Sequence, residues 1–306
     1  MRLLTLTQVV VISIIFLFAF TAYATNSNLG SPAAVWNALQ EAAAAHPVKG
    51  NAGGSYLTMR SQEGAIFFVI NLVGNFGTVF LDNAYYNKAI AASPVHALPG
   101  YVLGGLSWFA LPWLCATTMG LSALALESNP VFPTFPMRMS VEDVSAGLVL
   151  PYAAVALLGQ GGAAATLVMV TMAFTSSMGA ELIAVSSIFT YDVYQTYVNP
   201  RASANKLLFI SWSACAGYAL LMAGFSTGLF YAGVGMGYLY LLMGCIISSA
   251  VLPATLTLLW GNQNWQAAAF SPLLGLACSL VAWLATAQTE FGELTVASTG
   301  SKYVNS

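Results

Sequence analysis

Charge is what this chain lacks most. Of its 306 residues only 6% are charged, while 58% are hydrophobic. A soluble domain of this length carries about a quarter charged residues. So few charges cannot clothe a water-soluble fold, so lipid must be part of the solvent. There is no basic run and the net charge is −2, which argues against a nucleic-acid partner. Cysteine is scarce too. Cys115, Cys215, Cys245 and Cys278 all fall inside apolar segments. Their spacing fits neither a metal-ligand set nor a disulfide framework, which leaves them as buried small hydrophobes.

Long apolar runs are abundant. A transmembrane helix needs about 20 mostly apolar residues. Seven candidates meet that length, at roughly 3–24, 65–90, 98–126, 160–190, 206–230, 234–260 and 266–288. The first also has features of a signal peptide, with Arg2 ahead of it and Ala22-Tyr23-Ala24 behind. Its apolar run exceeds the usual signal core of about 7–15 residues, which favours a true span.

The connections are unequal. Residues 25–64 form a polar loop, within which Ser31 and Pro32 open SPAAVWNALQEAAAA, predicting a short surface helix. Residues 127–143 carry three prolines, and Ser140 with Asp143 makes a capping-box pattern. The apolar stretch 144–158 contains Pro151 and is too short to span, so it is expected to be re-entrant or interfacial. Short links holding Lys88, Arg201 and Lys206 are placed in the cytoplasm by the positive-inside rule. The N-terminus then lies inside, and a polar tail from about residue 289 lies outside.

The second span reads AIFFVINLVGNFGTVFLDNAYYNKAIAA, with Gly74 and Gly77 bracketing Asn75 and Phe76. Each glycine weakens a helix by about 1 kcal/mol relative to alanine. The expectation is a broken helix near residues 74–78, its unwound backbone facing a cavity because lipid cannot satisfy it. Close helix packing through small residues is the alternative. Asp82 and Lys88, further along, are placed to pair or to reach the interface.

The stretch AFTSSMGAELIAVSSIFTYD, at 173–192, puts a glutamate among hydroxyls in a greasy segment. At three- and four-residue spacing Ala173, Ser177, Ala180, Glu181, Ala184 and Ser187 form one small, polar stripe. Met172, Met178, Leu182 and Val185 occupy the opposite side. The hydroxyls of Ser176 and Ser177 are neutral oxygens of the kind a hard cation accepts. A serine bonded back to its own backbone is the plainer reading of each. A carboxylate at the bilayer centre costs about 2.5–3.5 kcal/mol on insertion scales, so Glu181 should face a polar interior, paired or protonated.

The stretch FTSSMGAELIAVSSIFTYDVYQTYVNP (174–200) resembles the signature helix of the sodium:solute symporters. The stretch from Gly74 to Glu127, opening with GNFGTVFLDNAYYNKAIAASPVHALPG, resembles more narrowly the fungal and plant urea active transporters of that family. The likeness runs to about residue 285. It implies an all-α integral membrane protein with the LeuT-type fold of two inverted five-helix repeats. By that likeness residues 1–288 correspond to core helices five to ten plus one extra helix, so the fold is incomplete, and 289–306 form a tail. Core helices one to four have no counterpart here.

The resemblance further implies a cation half-site at Ala173, through its carbonyl, with Ser176 and Ser177, for sodium. Asn75 and Thr78 fall at positions resembling its substrate side, with Asp82 and Asn83 following, and Phe76 supplies the aromatic lid that a urea site calls for. Glu181 stands where the wider family is usually uncharged, which marks it as a proton carrier specific to this branch. The implied activity is urea transport across the plasma membrane, coupled to Na+ or H+, without bond cleavage and so without enzymatic chemistry. The alternatives are a half-carrier without transport of its own, or another solute such as a polyamine.

Overall fold

The computed structural model describes residues 2–300, with side chains described for all but 2–8, 23–24, 73, 108, 111 and 297. Within them the chain is helical, and its one β contact is an isolated antiparallel bridge between Asn51 and Ser61. The protein is therefore an all-α integral membrane protein. Six helices among the described residues are long and apolar enough to cross a membrane. The helices form two compact units.

The first unit comprises residues 1–35, 83–139 and 148–232. Helix α1 (Arg2–Phe20) runs on into a π-helical turn, Thr21–Thr25. It packs on the two long helices Pro94–Leu126 and Gln160–Ser187 and fully buries Phe18 and Ala22. Among the described residues the candidate span 3–24 gives a shorter apolar helix, Val9–Phe20, which is not one of the six of membrane length. The surface helix expected after Ser31 is α2 (Pro32–Ala45), and Ser31 Oγ accepts from Ala34 N at 3.2 Å. Its first residues lie in this unit and the rest in the second.

Further along are α4 (Asn83–Ala91), α5 (Pro94–Leu126) and α7 (Val149–Leu158). Cys115, Met119, Ser122, Ala123 and Leu126 recur along one face of α5, and all are buried. Ser122 tolerates burial because its hydroxyl donates to Thr118 O at 2.6 Å. Helix α7 is short, as its length predicted, and buries Ala153, Ala154, Ala156 and Leu157. Pro151 sits in its first turn, where the missing N–H costs little.

A sharp corner at Gly159 (φ 58°) turns α7 into α8 (Gln160–Ser187). The hairpin needs Gly162, since a Cβ there would overlap the Ala154 carbonyl oxygen. Helix α8 continues as a π-helix over Ile188–Val198, beyond the expected end of the span near 190. Helix α9 (Ala204–Tyr231) packs on α8.

The second unit comprises 36–82, 140–147 and 233–306. It holds α3 (Gln62–Leu81), the one-turn α6 (Val141–Ser145), α10 (Met236–Leu259), α11 (Trp265–Phe291) and α12 (Val296–Gly300). Helix α10 packs against both α3 and α11. The expected capping box forms at α6: Ser140 Oγ accepts from Asp143 N at 3.0 Å and donates to Asp143 Oδ2 at 2.8 Å. The expected polar tail begins as helix, since α11 runs to Phe291 and α12 comes directly after. Residues 301–306 lie outside the described residues.

One expectation needs correcting. The second span is not broken at 74–78, because α3 is continuous from Gln62 to Leu81. The chain leaves the helix at Asp82 (φ −80°, ψ 114°), and α4 starts at Asn83. The glycines serve the alternative role of close packing. A Cβ at Gly77 would lie 2.8 Å from Val251 Cγ2, and one at Gly74 would lie 3.3 Å from Gly244 Cα. A side chain at Gly77 would force Val251 or α10 to shift and one at Gly74 would crowd Gly244, so the close approach of α10 favours glycine at both despite its weak helix propensity.

Candidate functional site

Helix α3 carries Asn71 and Asn75 one turn apart, and α10 brings Tyr240 against them. Asn75 Nδ2 donates to the Tyr240 hydroxyl at 2.8 Å and to Asn71 Oδ1 at 2.5 Å. The Tyr240 hydroxyl donates to Asn71 Oδ1, closing a three-membered polar ring. Phe67 stacks on the Tyr240 ring, with centroids 5.9 Å apart, and fixes its angle. Asn71 Nδ2 donates back to Phe67 O at 3.2 Å.

Polar groups on apolar helices must find partners, and these satisfy one another. Both amide protons of Asn75 are spent, so its exposed side chain presents Oδ1 as an acceptor. Asn71 and Tyr240 were not singled out from the sequence. A period-of-four repeat of asparagine on an apolar helix was the available signal for Asn71. Tyr240 sits far away in the chain, and only the α3–α10 packing reveals it.

The other expected substrate-side residues are placed differently. Thr78 Oγ1 donates to Gly74 O at 2.9 Å, its own helix backbone. Phe76 is exposed and stacks on Phe80, with centroids 5.5 Å apart and planes at 11°. Asp82 is the extended residue that follows α3 and ends the second unit's first chain segment, and Asn83 opens α4 in the first unit. Of the five, Asn75 is seen to join a group of convergent polar side chains. Lys88 holds its ammonium 5.8 Å over the Tyr85 ring.

In the first unit, α8 presents Ala173 and Ser177 on an exposed surface, with Ser176 half-buried. Among the described residues neither serine hydroxyl has a partner. Their neighbour Thr175, by contrast, donates to Thr171 O at 2.7 Å. The pair has therefore not turned back on its own helix. Two hydroxyls and the Ala173 carbonyl are the hard oxygens a sodium ion takes, but a hard cation prefers about six. The donor chemistry fits and the donor number is half of what is needed.

The small, polar stripe of α8 is occupied at its far end. Ala184 is buried, and Ser187 Oγ accepts from Asn87 Nδ2 of α4 at 3.1 Å. On the opposite side the Cys215 thiol of α9 donates to Leu182 O at 3.5 Å. Glu181 lies between, half-buried and one turn past the serine pair. Among the described residues no cluster of three His, Cys, Asp or Glu side chains is placed to hold a metal ion.

No family model matches the chain, and no solved structure matches it. Curated relatives do. It is 56% identical over 294 residues to the probable urea active transporter 1 of Schizosaccharomyces pombe, covering 96% of this chain and 44% of that protein. It is 53% identical to the urea active transporter of Saccharomyces cerevisiae, over 96% of this chain and 40% of the relative. It is 42% identical to a urea-proton symporter of Oryza sativa subsp. japonica, over 96% and 42% respectively. The chain thus spans under half the length of the curated relatives it matches. Over 96% of its own length, it is a homologue of the urea active transporters.

Proposed function

We propose that this chain forms part of a cation-coupled urea symporter of the sodium:solute type, with a LeuT-type core, acting at the plasma membrane. The carrying observation is the identity of 42–56% to urea transporters over 96% of the chain. The Asn71–Asn75–Tyr240 ring supplies chemistry to match. Urea carries four N–H donors and one carbonyl. Asn75 Oδ1 takes an N–H, and Tyr240 and Asn71 hold that amide in one orientation. Phe76, exposed beside it, provides an apolar lid. Thr78 and Asp82 in the same unit, and Asn83 at the start of α4 in the first unit, remain candidates by the resemblance alone.

Coupling is assigned to α8. Ala173, Ser176 and Ser177 contribute half of a cation shell, and Glu181 is a site for a transported proton. The rice relative is named a urea-proton symporter, which favours H+ over Na+ as the driving ion here. Transport breaks no bond in urea, so the role is not enzymatic. The solute is moved by rocking helix groups about a mid-membrane site.

The test is an exchange. The homologous segment of the Saccharomyces cerevisiae transporter is replaced by these 306 residues and expressed in a host without a urea carrier. The chimera should accumulate labelled urea above the external level, and collapsing the ion gradient should abolish it. A surface-expressed chimera that moves another solute and not urea overturns the reading. The 306-residue polypeptide expressed alone should give no concentrative uptake, because three hard oxygens do not complete a cation shell of about six.

A further inference from the structure

A cavity of different chemistry lies in the second unit, lined by Ile70, Gly74 and Leu241, the chain neighbours of the polar ring. It has a volume of about 340 Å³ and opens between α3, α10, α11 and α12, and none of Asn71, Asn75 or Tyr240 lines it. That volume falls within the range of small-molecule pockets, about 300–1,000 Å³. It exists because small residues (Gly74, Gly244, Cys245 and Ala287) meet where the three long helices converge. Val69, Ile70, Leu241 and Phe291 make the remaining walls apolar.

Most of its polar groups gather at one end. Thr286 and Glu290 stand in the last turns of α11, and Ser298 and Thr299 on α12 directly after it. This is where α11 finishes its membrane-length run. A pocket apolar along spanning helices and polar at their ends has the polarity of an amphiphile whose head sits at the interface.

The hydroxyl protons at that end are already used. Thr286 Oγ1 donates to Ala282 O at 2.7 Å, and Thr299 Oγ1 to Thr295 O at 2.7 Å. Ser298 Oγ donates to Glu293 O at 2.9 Å, and Trp283 Nε1 to Thr299 O at 3.3 Å. The Tyr238 hydroxyl, 3.2 Å from Thr299 Oγ1, donates to it, so Thr286 Oγ1 is the hydroxyl acceptor left at that end, and it calls for a donor. Trp283, held against Tyr238 with centroids 5.8 Å apart, adds a flat aromatic wall. A rigid ring system packs on such a wall with little loss of conformational freedom.

We propose that this cavity binds a membrane sterol, its hydroxyl donating to Thr286 and its rings lying along α3 and α10. The test uses the purified 306-residue protein in phosphatidylcholine nanodiscs doped with a photoreactive sterol that retains its hydroxyl. Cross-links are mapped by peptide sequencing. Labelling should concentrate on the cavity-lining stretches of α3, α10, α11 and α12 and be competed by unlabelled sterol. Thr286→Val keeps the shape and removes the acceptor, and should weaken competition about fivefold, the worth of one net hydrogen bond. The 3-keto sterol should compete about fivefold more weakly than the 3-hydroxy form, for the same reason. Ala287→Leu fills the cavity and should abolish the label, with helix content by circular dichroism confirming that the variant folds. If it does not fold, Thr286→Val and the ketone carry the test. Label spread evenly over all the spanning helices overturns the proposal. So does label displaced by a long-chain amine but not by sterol, or competition unchanged in Thr286→Val.

Discussion

The Asn75 amide on α3 donates to the Tyr240 hydroxyl on α10 at 2.8 Å. The two residues are 165 positions apart in the chain. Their bond turns a lone polar residue on an apolar helix into an oriented acceptor. Asn71 completes the ring and Phe67 holds the tyrosine ring in place.

Tyr240→Phe keeps the stack on Phe67 and deletes the hydroxyl. In the chimeric carrier it should raise the KM for urea roughly fivefold, the loss of one net hydrogen bond, with little change in surface expression. Initial rates of labelled urea uptake across a concentration series decide this. An unaltered KM would remove Tyr240 from urea recognition.

Ser176→Ala together with Ser177→Ala removes two hydroxyls of α8 that have no partner among the described residues, while leaving the helix intact. Alanine is a better helix former than serine, so folding should be little affected. Uptake measured against cation concentration should shift toward weaker apparent cation affinity by about tenfold or more, since two oxygen ligands are lost. The same cation dependence in the double mutant and the parent would show that the pair serves packing.

Glu181→Gln preserves shape and hydrogen bonding but cannot carry a proton. If the protonated carboxyl is the loaded form, parent uptake declines as pH rises and empties it. The glutamine variant should then give a flat pH profile over the same range. Overlapping profiles for the two proteins would leave Glu181 with a structural role.

Gly77→Ala places a methyl 2.8 Å from Val251 Cγ2. Overpacking of this kind costs about 1–3 kcal/mol. Thermal unfolding in detergent should show a lowered midpoint, and Val251→Ala in the same chain should restore most of it. A variant as stable as the parent would mean that α3 and α10 do not pack this closely.

The sequence by itself determined the solvent, the helical class and most span positions. Six percent charge and repeated apolar runs leave lipid-facing helices as the only arrangement that satisfies the backbone. Local signals were equally legible: the caps at Ser31 and Ser140 depend on side chains within four residues. The stripe on α8 followed from helical spacing, and its end does take α4, through Asn87 and Ser187.

What tertiary structure decided were the long-range pairings. Gly74 and Gly77 carry the same local signal whether a helix unwinds or another helix closes on it. The positions of Gly244 and Val251 resolve that choice in favour of packing. The break moved to Asp82, which composition did not mark. Tyr240 entered the site, and the cavity bounded by Ala287 and Thr286 formed, only because α10 lies between α3 and α11. Periodicity assigns a residue to a face of its own helix. It carries no information about which distant helix that face will meet, because that is set by the fit of side-chain volumes across the interface.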